Sequence, residues 1–247
     1  MVLARACGVK GERPAFAGLF IGAGRLGPGI IIDPKRQLLL PVPAHMEFLF
    51  VVLALFAGLQ YLKRREQRQR VALLGRYLAP YQIEQQMESL LDGYLRWLGE
   101  DDPVRREQVR ASLSVVEQSL ATQFARFCSD IQAMEAPLAQ VSKLPLWLPF
   151  AQPLLPGRLL FDVRKAFALH GRGIEATVRN AQEHSPKAQA YTLSAELLLM
   201  QYTCHWFCRS KAVASARLLA RHRTAYAQVL ASVSAPTRAD YQALVGR

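Results

Sequence analysis

Fifteen consecutive residues without a charge, Phe48 to Leu62 (FLFVVLALFAGLQYL), run straight into Lys63-Arg64-Arg65-Glu66-Gln67-Arg68-Gln69-Arg70, five positive charges against one negative. Ten of the fifteen are Leu, Phe or Val, so a translocon-type scale gives an insertion free energy of roughly −3 to −6 kcal/mol before Gly58, Gln60 and Tyr61 subtract from it. Counted from Met46 the helix has 17 residues and a length of about 25 Å, against a hydrocarbon core of about 30 Å. Tyr61 suits the interface, and Lys63 and Arg64 can snorkel, so residues 46–62 are read as a single transmembrane anchor. The competing reading is a buried core helix.

Basic residues dominate after the run, so the positive-inside rule puts the N-terminus outside and the rest of the chain on the cytoplasmic side of a cell inner membrane. Lys63, Arg64, Arg65, Arg68 and Arg70 are the expected headgroup contacts, each worth about 1 kcal/mol at an anionic leaflet. A bilayer with anionic headgroups is therefore the expected partner, and it accounts for part of a formal net charge of +12 without invoking nucleic acid.

Residues 1–45 carry no sustained period and are dense in Gly and Pro; they are read as a disordered tail or an over-called N-terminus, with Met46 as the expected true start. Gly22-Ala23-Gly24-Arg25-Leu26-Gly27 has dinucleotide-loop spacing, but Pro28 and Gly29 follow where the helix would need its first turn. No cofactor is expected there. Glycines interrupt the apolar patch at Ala15 to Ile21 too early for a signal peptide.

Beyond Val71 apolar residues recur at spacings of three and four, and no strict alternation is bounded by turn residues. The expected fold is all-α: a cytoplasmic helical bundle after the anchor. A basic juxtamembrane helix covers 63–80, a helical hairpin 81–143 and the C-terminal helices 158–247. One helix carries Ile83, Met87, Leu90, Leu91, Tyr94 and Leu98 on a face before Gly99. Asp101-Asp102-Pro103 starts the next, along which Val109, Leu113, Val116, Leu120, Phe124, Phe127, Ile131 and Met134 form a coiled-coil-like seam. Between them, 144–157 (LPLWLPFAQPLLPG) has four prolines and can only be an extended apolar linker. Its Trp147 and Phe150 need cover, across the bundle or at the headgroups, with packing favoured. Thr237 and Asp240 have capping-box spacing for a last short helix.

Two groups of residues invite chemistry. Cys204, His205 and Cys208 are the candidates for a metal or haem ligand set, with His170, His184 or His222 as possible partners, but C-x3-C within an apolar helix fits a packed face better than a zinc knuckle. His170 beside Gly171-Arg172-Gly173, and the cluster Arg217, Arg221, His222 and Arg223, lack phosphate-loop spacing and read as a solvated face. Four cysteines are too few for a disulfide framework. No catalytic motif is complete, so no enzyme activity, catalytic residue, metal or cofactor is expected. The leading expectation is a membrane-anchored interaction or scaffold protein that binds a protein partner or itself through its helices. The alternatives are a redox protein centred on Cys204, His205 and Cys208, and a soluble basic nucleic-acid binder.

Overall fold

A computed structural model describes residues 44–149 and 151–246; the Gly-rich motif and the expected tail or over-called start at 1–45 lie outside them, apart from its last two residues. The chain is predominantly helical, as its periodicity implies. It divides into two compact units, which part within the first helix, between Tyr61 and Leu62.

Helix α1 is Ala44–Leu78. Its first part, in one unit, is apolar on every face and exposed on every face: Phe48 is 72% exposed, Leu53 53%, Leu55 69% and Phe56 59%. Among the described residues no helix is long and apolar enough to cross a membrane. This departs from the expectation of a transmembrane helix at 46–62, and the reason is length. From Phe48 the uncharged run spans about 22 Å before Lys63.

The other unit holds the rest of α1 and all later elements. Leu74 and Leu78 enter its core, and α1 stops there because Pro80 cannot continue a helix. Helix α2 (Ile83–Leu98) buries Ile83, Met87, Leu90, Tyr94 and Trp97, a stripe of three-four spacing. Helix α3 (Pro103–Asp130) begins where the Asp102 carboxylate accepts from the Val104 amide at 2.9 Å and Pro103 supplies a preset φ at the first position. Of its expected seam, Leu113, Leu120, Phe124 and Phe127 are buried against α2 and the helices beyond, Val109 and Val116 are partly buried, and Ile131 and Met134, though buried, lie past the end of the helix. The crossing of α2 and α3 is close enough that a Cβ at Gly93 would collide with Leu113.

After a short helix α4 (Ala136–Ala139) the chain makes something the periodicity did not announce. Strand β1 (Gln140–Ser142) pairs antiparallel with β2 (Leu160–Asp162), in the register Gln140 to Asp162, Val141 to Phe161 and Ser142 to Leu160. This ribbon closes the base of the Pro-rich strap, which itself contains one turn of helix, α5 (Ala151–Leu154). An all-helical expectation is thus corrected locally. Four prolines keep the strap from forming a continuous helix, and its flanks satisfy their amides by pairing with each other. The strap is tied down further by the Trp206 indole N–H donating to the Ser142 carbonyl at 2.9 Å and the Ala212 amide donating to the Pro145 carbonyl at 2.9 Å.

Helix α6 (Val163–Val178) is capped by Asp162, whose carboxylate also receives the Arg164 guanidinium at 2.6 Å. The long stretch after Ser185 divides into α7 (Pro186–Cys208), α8 (Lys211–His222), α9 (Tyr226–Ser232) and α10 (Ala235–Val245). Ser210 caps α8, and Arg223 ends it in the left-handed region at φ 51°. The cap of α10 is Ser234, not Thr237 as its spacing with Asp240 suggested; Pro236 in the first turn fits only a start that early, and Thr237 turns inward. Helix α7 is the centre of the fold, apolar nearly all round and buried nearly all round, with α6, α8 and α9 packed on it.

Candidate functional site

The strap packs on the basic half of α1, and the contact is specific. The Trp147 indole N–H donates to Glu66 Oε2 at 3.0 Å, while Glu66 Oε1 accepts from Arg70 Nε at 3.1 Å and pairs with its Nη2 at 3.0 Å. Arg70 continues inward: its Nη1 donates to the Phe207 carbonyl at 3.2 Å, and its guanidinium lies 5.4 Å from the Phe207 ring centre. Gln67, buried on the next face, accepts from Arg209 at the end of α7. Of the five expected headgroup contacts, therefore, Arg70 is 17% exposed and engaged with the fold. Lys63 is half-buried, and Arg64, Arg65 and Arg68 are exposed.

Between α1 and the strap lies a groove of about 650 Å³, within the usual size of a ligand pocket. Leu62 and Leu73 of α1, Leu138 of α4, and Trp147, Pro149 and Pro153 of the strap line it, together with Arg65 and Arg76 of α1. Leu62, Arg65, Gln69, Leu73 and Arg76 are spaced by three and four, so they form one stripe along the helix. Sequence reading marked Arg65 and Trp147 separately. It missed Leu73, Leu138 and Arg76 as parts of one place, because only the folded strap brings α1 and α4 together.

No protein-family model, curated protein or solved structure matches the chain. The function must be argued from the residues.

Cys204, His205 and Cys208 all lie buried in α7, where Cys204 Sγ is 3.7 Å from Met200 Sδ and His205 Nδ1 is 3.4 Å from an Arg217 nitrogen. Among the described residues no three His, Cys, Asp or Glu side chains gather closely enough to hold a metal ion. Cys128, Cys204 and Cys208 form no disulfide. Of the basic cluster, Arg221 pairs with Glu88 of α2, and His222 shares a 2.9 Å hydrogen bond with Gln201.

His170 and Gly173 lie in the core, not on the solvated face expected of them, because their helix packs this side against two others. His170 is fully buried on α6, its Nε2 2.9 Å from the Thr203 hydroxyl of α7. Thr203 donates to the Leu199 carbonyl and meets the Tyr241 hydroxyl of α10 at 3.0 Å. With the threonine proton spent on Leu199, the imidazole Nε2 must be the donor, leaving Nδ1 unprotonated and without a partner. Burial pushes the His170 pKa down to about 3. Seven residues before Thr203 on the same helix, Glu196 is equally buried; Oε1 accepts from the Ser234 amide at 3.1 Å. Burial raises its pKa, against hydrogen bonds from Thr237 and Ser234 that lower it.

Gly173 lets these three helices meet. A Cβ there would stand 2.7 Å from Glu196 Oε2 and would also collide with Thr237 Oγ1. Gly173→Ala is therefore expected to destabilise by about 1–3 kcal/mol through overpacking, despite the better helix propensity of Ala. Denaturant unfolding checks this, and a stabilised variant would show the crossing to be loose.

Proposed function

We propose that the chain is a membrane-anchored helical interaction protein, held by the helix at 46–62 as a single pass, with residues 63–247 on the cytoplasmic side of a cell inner membrane. One observation carries the reading: the helix at Phe48–Leu59 is apolar on all faces and exposed on all faces. A helix of that kind is stable either inside a protein core or in an apolar solvent. Helix α7 illustrates the first case, since its apolar faces are covered by neighbouring helices. The helix at 48–59 has the composition of the second, and a bilayer is the solvent that matches it.

The run is short for a hydrocarbon core, which Tyr61 at the interface, a snorkelling Lys63 and local thinning of the bilayer offset at a fraction of a kcal/mol per Å. Arg64, Arg65 and Arg68 then meet anionic headgroups and set the orientation. The helical body, with its groove and strap, is the part that engages a protein partner or a second copy. Alkaline carbonate extraction of membranes from cells expressing the full chain tests the anchor. Retention in the pellet is expected; release into the supernatant would overturn the anchor and return the 48–62 run to a core role.

A further inference from the structure

The groove between α1 and the strap is lined by apolar and basic side chains together, and it begins in the chain at Leu62, the last residue of the uncharged run. Its one carboxylate, Glu66, is already taken by Arg70 and Trp147. Arg65 and Arg76 are exposed, and among the described residues neither has an ion-pair partner. The groove therefore offers apolar surface and unneutralised positive charge together, which suits an amphiphilic anion better than a neutral ligand or an acidic solute without a tail.

We propose that this groove holds one acyl chain of an anionic phospholipid, with the lipid phosphate on Arg65. The proposal rests on the membrane anchor argued above. Arg65 and Arg76 are eleven residues apart on one helix and so about 16 Å apart, too far for one phosphate to meet both. Arg65 is the nearer to Leu62 and lies within the basic segment that faces the headgroups. The phosphate belongs there, and the chain extends along Leu73, Leu138 and Trp147 toward the Arg76 end. Guanidinium suits this task because its planar fork can engage two phosphate oxygens at once. The Glu66 contact holds Trp147 as one wall, and Pro149 and Pro153 of the strap stand on the other.

Trp147 makes the occupant observable. Full-length chain in dodecyl maltoside is titrated with phosphatidylglycerol brominated on its acyl chains, and tryptophan fluorescence is followed in the wild type and in Trp147→Phe. Trp97 is buried in the core, and Trp206, also buried, lines a small cavity with Trp147 and supplies a weakly quenched background. Quenching is expected to saturate at one lipid per chain and to lose most of its amplitude in Trp147→Phe. In Arg65→Gln the midpoint should rise about fivefold, the equivalent of one headgroup contact. Brominated diacylglycerol, which lacks the phosphate, should bind the wild type as weakly as phosphatidylglycerol binds Arg65→Gln, and Arg76→Gln should match the wild type.

Equal binding of the two lipids, or no effect of Arg65→Gln, would reduce the site to unspecific apolar adsorption and overturn the proposal. Absence of quenching also overturns it, and flotation on phosphatidylglycerol vesicles then separates the two readings. A chain that floats without quenching keeps its anchor and loses the lipid groove; one that neither floats nor quenches loses both. If quenching is absent and light scattering finds a dimer weakened by Arg65→Gln, the groove belongs to a second copy of the chain and the lipid assignment fails.

Discussion

Between pH 6.5 and pH 5 the helical bundle should lose about 2 kcal/mol of stability through one side chain, His170. The folded protein holds this imidazole neutral, with a pKa of about 3, whereas in the unfolded chain it titrates near 6.5. The unfolded state therefore takes up a proton that the folded state refuses, so stability is full above pH 6.5 and declines as pH falls toward 3. Carried to pH 3 the loss approaches about 5 kcal/mol, comparable to the whole stability of many domains. The neighbours of His170 within hydrogen-bond reach, Thr203 and beyond it Tyr241, are hydroxyls that offer the imidazolium no counter-charge.

Glu196, on the same polar seam, acts in the opposite sense. Its folded pKa is raised, so its contribution is present below the unfolded value and lost as pH rises through the folded one. His170→Gln can still donate to Thr203 but cannot titrate. Denaturant unfolding of the full chain in a nonionic detergent, followed by Trp206 fluorescence, should therefore show a flatter dependence between pH 6.5 and 5 in the variant. Parallel curves would mean that His170 is not held neutral. Glu196→Gln should be stabilising relative to wild type above the raised pKa, where the carboxylate would otherwise have to ionise in the core or bind a proton.

What could be read from the residues divides by distance along the chain. The seam of α3 was legible because Leu113, Leu120, Phe124 and Phe127 repeat within one helix, and a period needs no partner to be seen. The start of α3 was legible for the same reason: Asp102 caps an amide two residues on. The β1–β2 ribbon was not, because three residues are too few to display alternation, and what pairs them is the proline-enforced strap between. Nor could Arg70 be told from Arg68. One residue of the collar faces Phe207, 137 positions away, and the sequence reads both as arginine on a solvated helix. The His170–Thr203–Tyr241 seam joins three helices; a lone histidine beside glycines and an arginine reads as a solvated face, and only the packing of those glycines on Cys128, Thr237 and Glu196 shows it to be core. The groove follows the same rule, since Trp147 and Glu66 meet across 81 residues.

The anchor can be tested by a substitution whose effect differs in size between the two environments open to the helix. Leu53 and Phe56 are 53% and 59% exposed. If water is what they meet, replacing both with Arg removes two apolar side chains from solvent and should change stability by no more than about 0.5 kcal/mol each, the usual range at exposed sites. Within a bilayer each replacement exchanges a contribution of about −0.5 kcal/mol for one of about +3, so the pair costs about 7 kcal/mol and exceeds everything the run gains on insertion. Leu53→Arg/Phe56→Arg should then move the protein from the carbonate-resistant pellet to the soluble or aggregated fraction. The Trp206 unfolding transition of the body should meanwhile keep its midpoint, because neither residue belongs to that core. A double variant that stays in the pellet would place the two side chains outside the hydrocarbon and overturn insertion by this helix. The effect is a change of compartment rather than of a few degrees, because the apolar run is short and has no surplus to absorb two charges.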